Sequence, residues 1–530
     1  MSTIPGASVK LAPMNILFIM ADQLRWDHLG CTGHPWLKTP AIDALARRGV
    51  RFANAFANSG VCGPSRMSFY TGRYPISHGA TRNRVPLSVG EVTLGEMLRA
   101  AGRSLALAGK THVMPDHAGL ARLHLDGGSE LGTLLARGGF EELDRYDGHH
   151  PPGEESGYPA FLRAHGYDSA DPWTDYVISG VDAQGRVHSG WHMRNVHLPA
   201  RVRDEHSETA YTTDQAIAYM RRMGDRPWVL HLSYVKPHWP YMAPAPYHAR
   251  YTADQCLPVA RRRDELERAH PVLAAYRQQE ECLSFQRDEC IRTVRPAYQG
   301  LIAQLDDHLG RLFDHMAAAG RLEDTLIVFT ADHGDFLGDH WLGEKELFYD
   351  TVQKLPLIVV DPRREADATR GTVERRFVES VDLAPTLLDA LGVAAPAHRL
   401  EGASLVPLLH GQAVHGWRDV AYSELDYSYR NARLTLGKDV HQCRAFSLRS
   451  ERWRYVYWLD EPEQLFDLEA DPDEFQDLGR ETSTEPVRAA LRDRLLDFLA
   501  RRRHRTTVTD DAVQRGTGAY KKAGVFFGQW

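Results

Sequence analysis

Short apolar runs that stop abruptly at polar residues recur along the chain. Asn15 to Ala21 (NILFIMA) is almost wholly apolar and ends at Asp22-Gln23, the pattern of a strand buried in a parallel sheet. Ser104 to Ala108 ends at Gly109-Lys110-Thr111-His112, and Trp228 to Ser233 ends at Tyr234-Val235-Lys236-Pro237-His238. Thr325 to Thr330 ends at Ala331-Asp332-His333-Gly334. Val50 to Ala57 and Leu355 to Val360 predict two further strands. Helical patterns lie between. Thr39 as N-cap, Pro40 at the first helical position and Gly49 as stop frame one helix. Thr93 to Ala101, Glu208 to Met223, an amphipathic stretch from Pro296 to Ala319, and Asp382 to Leu391 predict others. Residues 113–208 are rich in Pro, Gly, His and Trp and predict long loops over the scaffold.

The character changes near residue 415. Ala421 to Ser423, Arg444 to Arg449, Trp453 to Trp458 and Gln464 to Leu468 read as short strands, followed by a helix from Thr484 to Arg502. The expected organisation is a large α/β domain over residues 14–414 and a C-terminal subdomain over 415–502, with a small antiparallel sheet and a helix. A tail over 503–530 ends in GVFFGQW, whose Val525, Phe526, Phe527 and Trp530 predict docking on a neighbouring subunit in a homo-oligomer, a dimer or tetramer.

Composition narrows the class. The 530 residues are 43% hydrophobic and 25% charged, as in ordinary globular proteins. A formal charge of −7 gives no electrostatic reason to expect nucleic acid or an anionic membrane. No window is apolar enough for a transmembrane helix, and no signal peptide is recognisable, so the expected compartment is the cytoplasm. Six scattered cysteines do not make a disulfide scaffold.

The polar ends of the apolar runs carry the chemistry. Open parallel sheets place their sites at the carboxyl ends of strands. Asp22, Gln23, Asp332 and His333 together offer two carboxylates, an amide oxygen and an imidazole, a hard donor set that suits Ca²⁺, Mg²⁺ or Mn²⁺. Cys62 opens CGPSRMSFYTG, in which Arg66 lies one helical turn on and shares its face. Gly63 and Pro64 suit a turn at a helix N-terminus, where an anion is welcome.

From these residues the chain resembles the sulfatase family of the alkaline-phosphatase-like superfamily, near its arylsulfatase and phosphonate monoester hydrolase branch. NILFIMADQ, CGPSRMSFYTG, AGKTH, YVKPHWPY, IVFTADHGDFLGDHWLGEK, VDLAPTLLDALG and EQLFDLEADPDEFQDL occur in the family's order over roughly residues 14–480. The resemblance implies a large mixed sheet sandwiched between helices. It also implies conversion of Cys62 to formylglycine by a formylglycine-generating enzyme, and one Ca²⁺ or Mn²⁺ ion that residue 62 also contacts. The hydrated aldehyde, a gem-diol, attacks sulfur with one hydroxyl and expels sulfate with the other. By motif match, Arg66 and Lys110 hold the diol and the developing charge, and His112 takes the proton of the second hydroxyl. His238 and Lys345 contact the sulfate and assist the leaving oxygen. With residue 62 consumed, five cysteines remain and cannot all pair, which agrees with a reducing compartment.

The expected substrate is a sulfate monoester. Lys110 and His112 stand where the phosphonate hydrolases resembling this chain carry Tyr and Thr. Pointing the other way, to phosphonate monoesters or phosphodiesters, are Asp22-Gln23 in place of two Asp, the PHWPYMAPAPYHARY segment and the long C-terminal tail. A non-catalytic metal-binding homologue is the alternative of another class. Asn83, Trp191, Trp239 and Tyr241 are the candidate substrate contacts, with aromatic walls as in most small-molecule pockets.

Overall fold

A computed structural model describes residues 13–524, apart from 149, 154–155 and 523. Eleven strands precede residue 380: β1 (Asn15–Ala21), β2 (Val50–Phe56), β3 (Leu105–Gly109), β4 (Phe140–Arg145), β5 (Ser179–Val181), β6 (Val187–Ser189), β7 (Val229–Tyr234), β8 (Thr325–Ala331), β9 (Lys354–Leu355), β10 (Leu357–Val360) and β11 (Val373–Glu379). The main sheet runs β11-β2-β10-β8-β1-β7-β3-β4, with β9 on β2, and β5 and β6 form a separate hairpin. Its pairs are parallel except those made by β9 and β10. Strand β1 is buried at all seven positions and parallel to both neighbours, as its apolar run predicts.

Alternation along β7 shows how helices cover both faces. Its His231 and Ser233 point to the helix Cys62–Thr71, where His231 meets Tyr70 at 3.0 Å and Ser233 Oγ accepts from Arg66 at 2.8 Å. Tyr234 points the other way, to Thr213 of the helix Glu208–Met223 at 2.8 Å. That helix packs beside the long helix Asp288–Ala318.

The departures from expectation have local causes. The long helix begins two turns before Pro296, which lies inside it. A proline costs its helix one hydrogen bond, and here the carbonyl left over belongs to the exposed Arg292. Leu355 to Val360 is broken at Pro356 into β9 and β10, since proline donates nothing to a ladder. Strand β4 and several short helices occupy the segment expected to be loops; β4 is an edge strand with polar, partly exposed positions, so its apolar signal is weak. The Pro40–Arg48 helix starts where expected, but its first amides are capped from afar. The Asp306 carboxylate accepts from Ala41 N at 3.1 Å and Ile42 N at 2.8 Å.

Four antiparallel strands, β12 (Val420–Asp426), β13 (Arg444–Ser450), β14 (Trp453–Trp458) and β15 (Gln464–Asp467), make the second sheet. Leu495 and Phe498 of the helix Glu485–Ala500 pack with Tyr455, Leu465 and Tyr74. Asn58, on the path from β2 to Cys62, joins the two sheets: its amide donates to Tyr422 O at 2.9 Å and its carbonyl accepts from Glu424 N at 2.9 Å. The tail begins against its own chain, with Arg503 N on Glu401 at 2.9 Å, while Val525, Phe526, Phe527 and Trp530 lie outside the described residues. The six cysteines form no disulfide, and among the described residues no helix is long and apolar enough to cross a membrane.

Gly109 closes β3 at φ +102°, where a Cβ would lie 1.9 Å from the carbonyl oxygen of Ser233. Gly109→Ala is therefore expected to cost at least about 2 kcal/mol in urea unfolding, from positive-φ strain and overpacking together. An unchanged unfolding midpoint would contradict this close approach.

Candidate active site

Register brings the polar strand ends to one level. Ala21 pairs with Ala331 and with Tyr234, and Gly109 pairs with Ser233. The residues that follow these partners therefore meet at one edge. Lys110 Nζ lies 2.5 Å from Asp22 Oδ2. Arg66 reaches across from the buried helix Cys62–Thr71: its Nε donates to Asp332 Oδ2 at 2.8 Å and its Nη2 to Asp22 Oδ2 at 3.1 Å. Its Nη1 donates to Ser233 Oγ and to Lys110 O. All its nitrogens face acceptors, so Arg66 holds the two carboxylates in place. Burial disfavours the Asp22 carboxylate, but Lys110, His238 and Arg66 hold its carboxyl well below the usual range.

Cys62 is the first residue of its helix, fully buried, with Sγ 3.0 Å from His333 Nε2. Burial pushes its thiol up, yet Lys345, His333 and Lys110 outweigh this and lower it. Ligand atoms of Asp22, Cys62, Asp332 and His333 all lie within 4.8 Å of one another. Asp22 Oδ1 is buried with no hydrogen-bond partner, a costly arrangement unless something cationic is bound there. His333 Nδ1 lies 2.9 Å from Gly334 O, which leaves Nε2 facing the cluster. Buried carboxylates beside one imidazole fit a divalent cation. The amide oxygen of Gln23, the other donor expected from the sequence, accepts from Lys345 Nζ at 2.8 Å.

Lys345 also meets His238 Nε2 at 2.9 Å, and His238 Nδ1 lies 2.7 Å from Trp239 O. His112 is half-buried at φ +58°. Burial, with Lys110 and Arg66 near, holds its imidazole well below the usual range. Gln23, His112, Glu344 and Glu346 all adopt positive φ without being glycine, a strain that clusters at functional sites.

The four candidate substrate contacts separate. Trp191 and Trp239 face each other with ring centroids 5.5 Å apart and line a cleft of about 710 Å³ that also touches Tyr241, Met193, Glu344 and Arg430. The hydroxyl of Tyr241 is committed to Asp335 at 2.6 Å. Asn83 lies beneath the helix start, where its Oδ1 accepts from Gly63 N at 2.7 Å and caps an amide of the first turn. The oxygen of Asn83 thus serves the helix.

Several supporting residues carried no sequence signal. Asp147 accepts from Thr111 N at 3.0 Å and His112 N at 3.3 Å, and it follows β4, the strand that the apolar pattern missed. Asp335 sits inside the recognised ADHGD run without a periodic or metal-type cue. Arg430, from the second sheet's side, pairs with Glu346, Glu344 and Glu281, and so holds both neighbours of Lys345.

Comparison with known proteins identifies the family. The Sulfatase family pattern matches residues 14–393, and a second pattern, N-sulphoglucosamine sulphohydrolase C-terminal, matches residues 338–501. The multifunctional alkaline phosphatase superfamily protein PehA of Trinickia caryophylli is 33% identical over 504 residues, covering 90% of this chain and 92% of its own. An arylsulfatase of Clostridium perfringens is 28% identical over 483 residues, covering 88% and 90%. Among solved structures, a phosphonate monoester hydrolase from Silicibacter pomeroyi has a TM-score of 0.83 at 31% identity, covering 94% of this chain and 98% of that one. The chain belongs to the sulfatase family and is a sulfuric ester hydrolase on the alkaline-phosphatase-like fold.

Proposed function

We propose that the chain cleaves sulfate monoesters, aryl sulfates among them, with a formylglycine made from Cys62 and one divalent cation, Ca²⁺ or Mn²⁺. The observation that carries this reading is the convergence of Cys62, Asp22, Asp332 and His333 within 4.8 Å, beside Lys110 and Lys345. Asp22, Asp332 and His333 would hold the cation, with the oxygen of Gln23 beside them. When bound, the cation polarises the sulfate and acidifies the attacking hydroxyl.

In this reading the Cys62 sulfur marks the place of a gem-diol oxygen. A diol at residue 62 would attack sulfur through one hydroxyl, losing that hydroxyl's proton to solvent, as the bond from sulfur to the ester oxygen breaks. His238 and Lys345, 2.9 Å apart, serve the departing oxygen, with the proton coming from this pair. His112, kept neutral, then takes the proton of the second hydroxyl. The C–O bond to sulfate would then break and the aldehyde return, to be rehydrated by water at carbon, so no water need attack sulfur. The Trp191–Trp239 wall receives the leaving group.

Phosphonate monoesters and phosphodiesters are the second reading, favoured by the likeness to the Silicibacter hydrolase. All three ester classes carry a single negative charge near neutral pH, so charge alone does not separate them. Lys110 and His112 favour sulfate, since a positioned base makes elimination from the diol efficient.

Side-by-side kinetics on an aryl sulfate, an aryl phosphonate monoester and an aryl phosphodiester, with metal content measured on the same sample, test the ranking. The sulfate is expected to show the highest kcat/KM, and a phosphonate or phosphodiester in first place would reverse it. Cys62→Ala is expected to lower kcat on the aryl sulfate by at least about 10³-fold, and mass spectrometry of the wild-type peptide should show the aldehyde. The acid limb of kcat due to His112 is expected below pH 6.5, because the base must be neutral and its imidazole is held down. Lys110→Met should move that limb to higher pH by removing a repelling charge; a shift the other way would exclude His112 as the base.

A further inference from the structure

Outside the residues assigned so far, Asp335 stands out as a buried carboxylate built into the site. It is 0% exposed, as is Gln23, and Tyr241 is 1% exposed. Three donors converge on its two oxygens. Gln23 Nε2 donates to Oδ2 at 2.5 Å, Tyr241 Oη to the same Oδ2 at 2.6 Å, and Leu337 N to Oδ1 at 3.0 Å. A second contact ties Gln23 Nε2 to Tyr241 Oη at 3.4 Å.

A glutamine amide has a donor end and an acceptor end of nearly equal shape, so its orientation is set by what faces it. Here the acceptor end meets the ammonium of Lys345 at 2.8 Å and the donor end meets Asp335. A flipped amide would set its oxygen against a carboxylate and its N–H groups against an ammonium. We propose that Asp335 is a positioning residue that locks the Gln23 amide with its oxygen turned toward Lys345 and the cation site. Tyr241 shares that task, because its hydroxyl occupies the same oxygen and braces the carboxylate from the side of the cleft. An oxygen so held would offer the proposed ion site a neutral donor, with the carboxylate one residue behind the amide. Partners behind a metal ligand commonly change metal affinity by about 10–100-fold when removed.

This assignment rests on the cation site proposed above, and two measurements keep the two ideas apart. Metal-stripped full-length protein is titrated with Mn²⁺ alone, and binding is followed by calorimetry. Asp335→Asn, which keeps the shape, is expected to weaken Mn²⁺ binding by about 10-fold or more. Wild-type affinity in this variant would overturn the role of Asp335, whereas failure of the wild-type chain to bind Mn²⁺ would overturn the cation site and the assignment with it. The second measurement needs no metal. Gln23→Glu places two carboxylates in contact and is expected to lower Tm in chelator. The double variant Gln23→Glu/Asp335→Asn restores a donor–acceptor pair and should melt above Gln23→Glu alone. If the two substitutions instead lower Tm additively, Asp335 does not read the charge of residue 23, and the proposal fails.

Discussion

The fixed point of this structure is the buried guanidinium of Arg66 strung between Asp22 and Asp332. Each of these charges would be costly to bury at a dry sheet edge without its partners. Removing one partner of such a buried pair typically costs about 3–5 kcal/mol, because the other charge is stranded. Lys110 adds a second cation on Asp22, and Lys345 a third close by. The arrangement needs β1, β3, β7 and β8 to end at one level, and it needs the Cys62–Thr71 helix to lie directly on them. Sheet order, strand register and the burial of that helix all serve this one network of charges.

Much of the fold was legible because its strands are apolar and short. β1 follows the NILFIMA run residue for residue, and Glu208–Met223 begins and ends where the pattern places it. The candidate site was legible for a related reason: a polar residue directly after a buried run has few places to go. What escaped is of a different kind. β4 shows its side to solvent, so its pattern is mixed. Pro296 looked like a helix start because proline favours that position, yet the helix runs through it at the cost of one hydrogen bond. The oxygen of Asn83 caps Gly63, a role that no sequence spacing separates from a contact to substrate. Asp147, Asp335 and Arg430 act on other side chains or amides across long separations, and no local spacing announces that.

The second sheet is more than an appendage to the first. Arg430 spans Glu281, Glu344 and Glu346, and Tyr276 adds a hydrogen bond to Glu346 at 2.6 Å. Lys345 therefore sits between two glutamates at strained dihedrals that a residue from outside the main sheet holds down. Asn58 works at the other end of the same junction, on the path that leads to Cys62. Cys62 and Lys345 thus both depend on how the two sheets meet.

Under the maturation proposed for Cys62, the complete burial of the Cys62–Thr71 helix would also set an order of events in the life of the chain. Every residue of that helix is packed between the main sheet and its neighbours, and Cys62 itself is 0% exposed. A modifying enzyme that must thread this segment through its own cleft finds it accessible in the nascent or unfolded chain and closed to it afterwards. Folding speed and maturation are then in competition. A variant that folds faster, or a host that modifies slowly, would yield protein that is well folded and permanently unactivated.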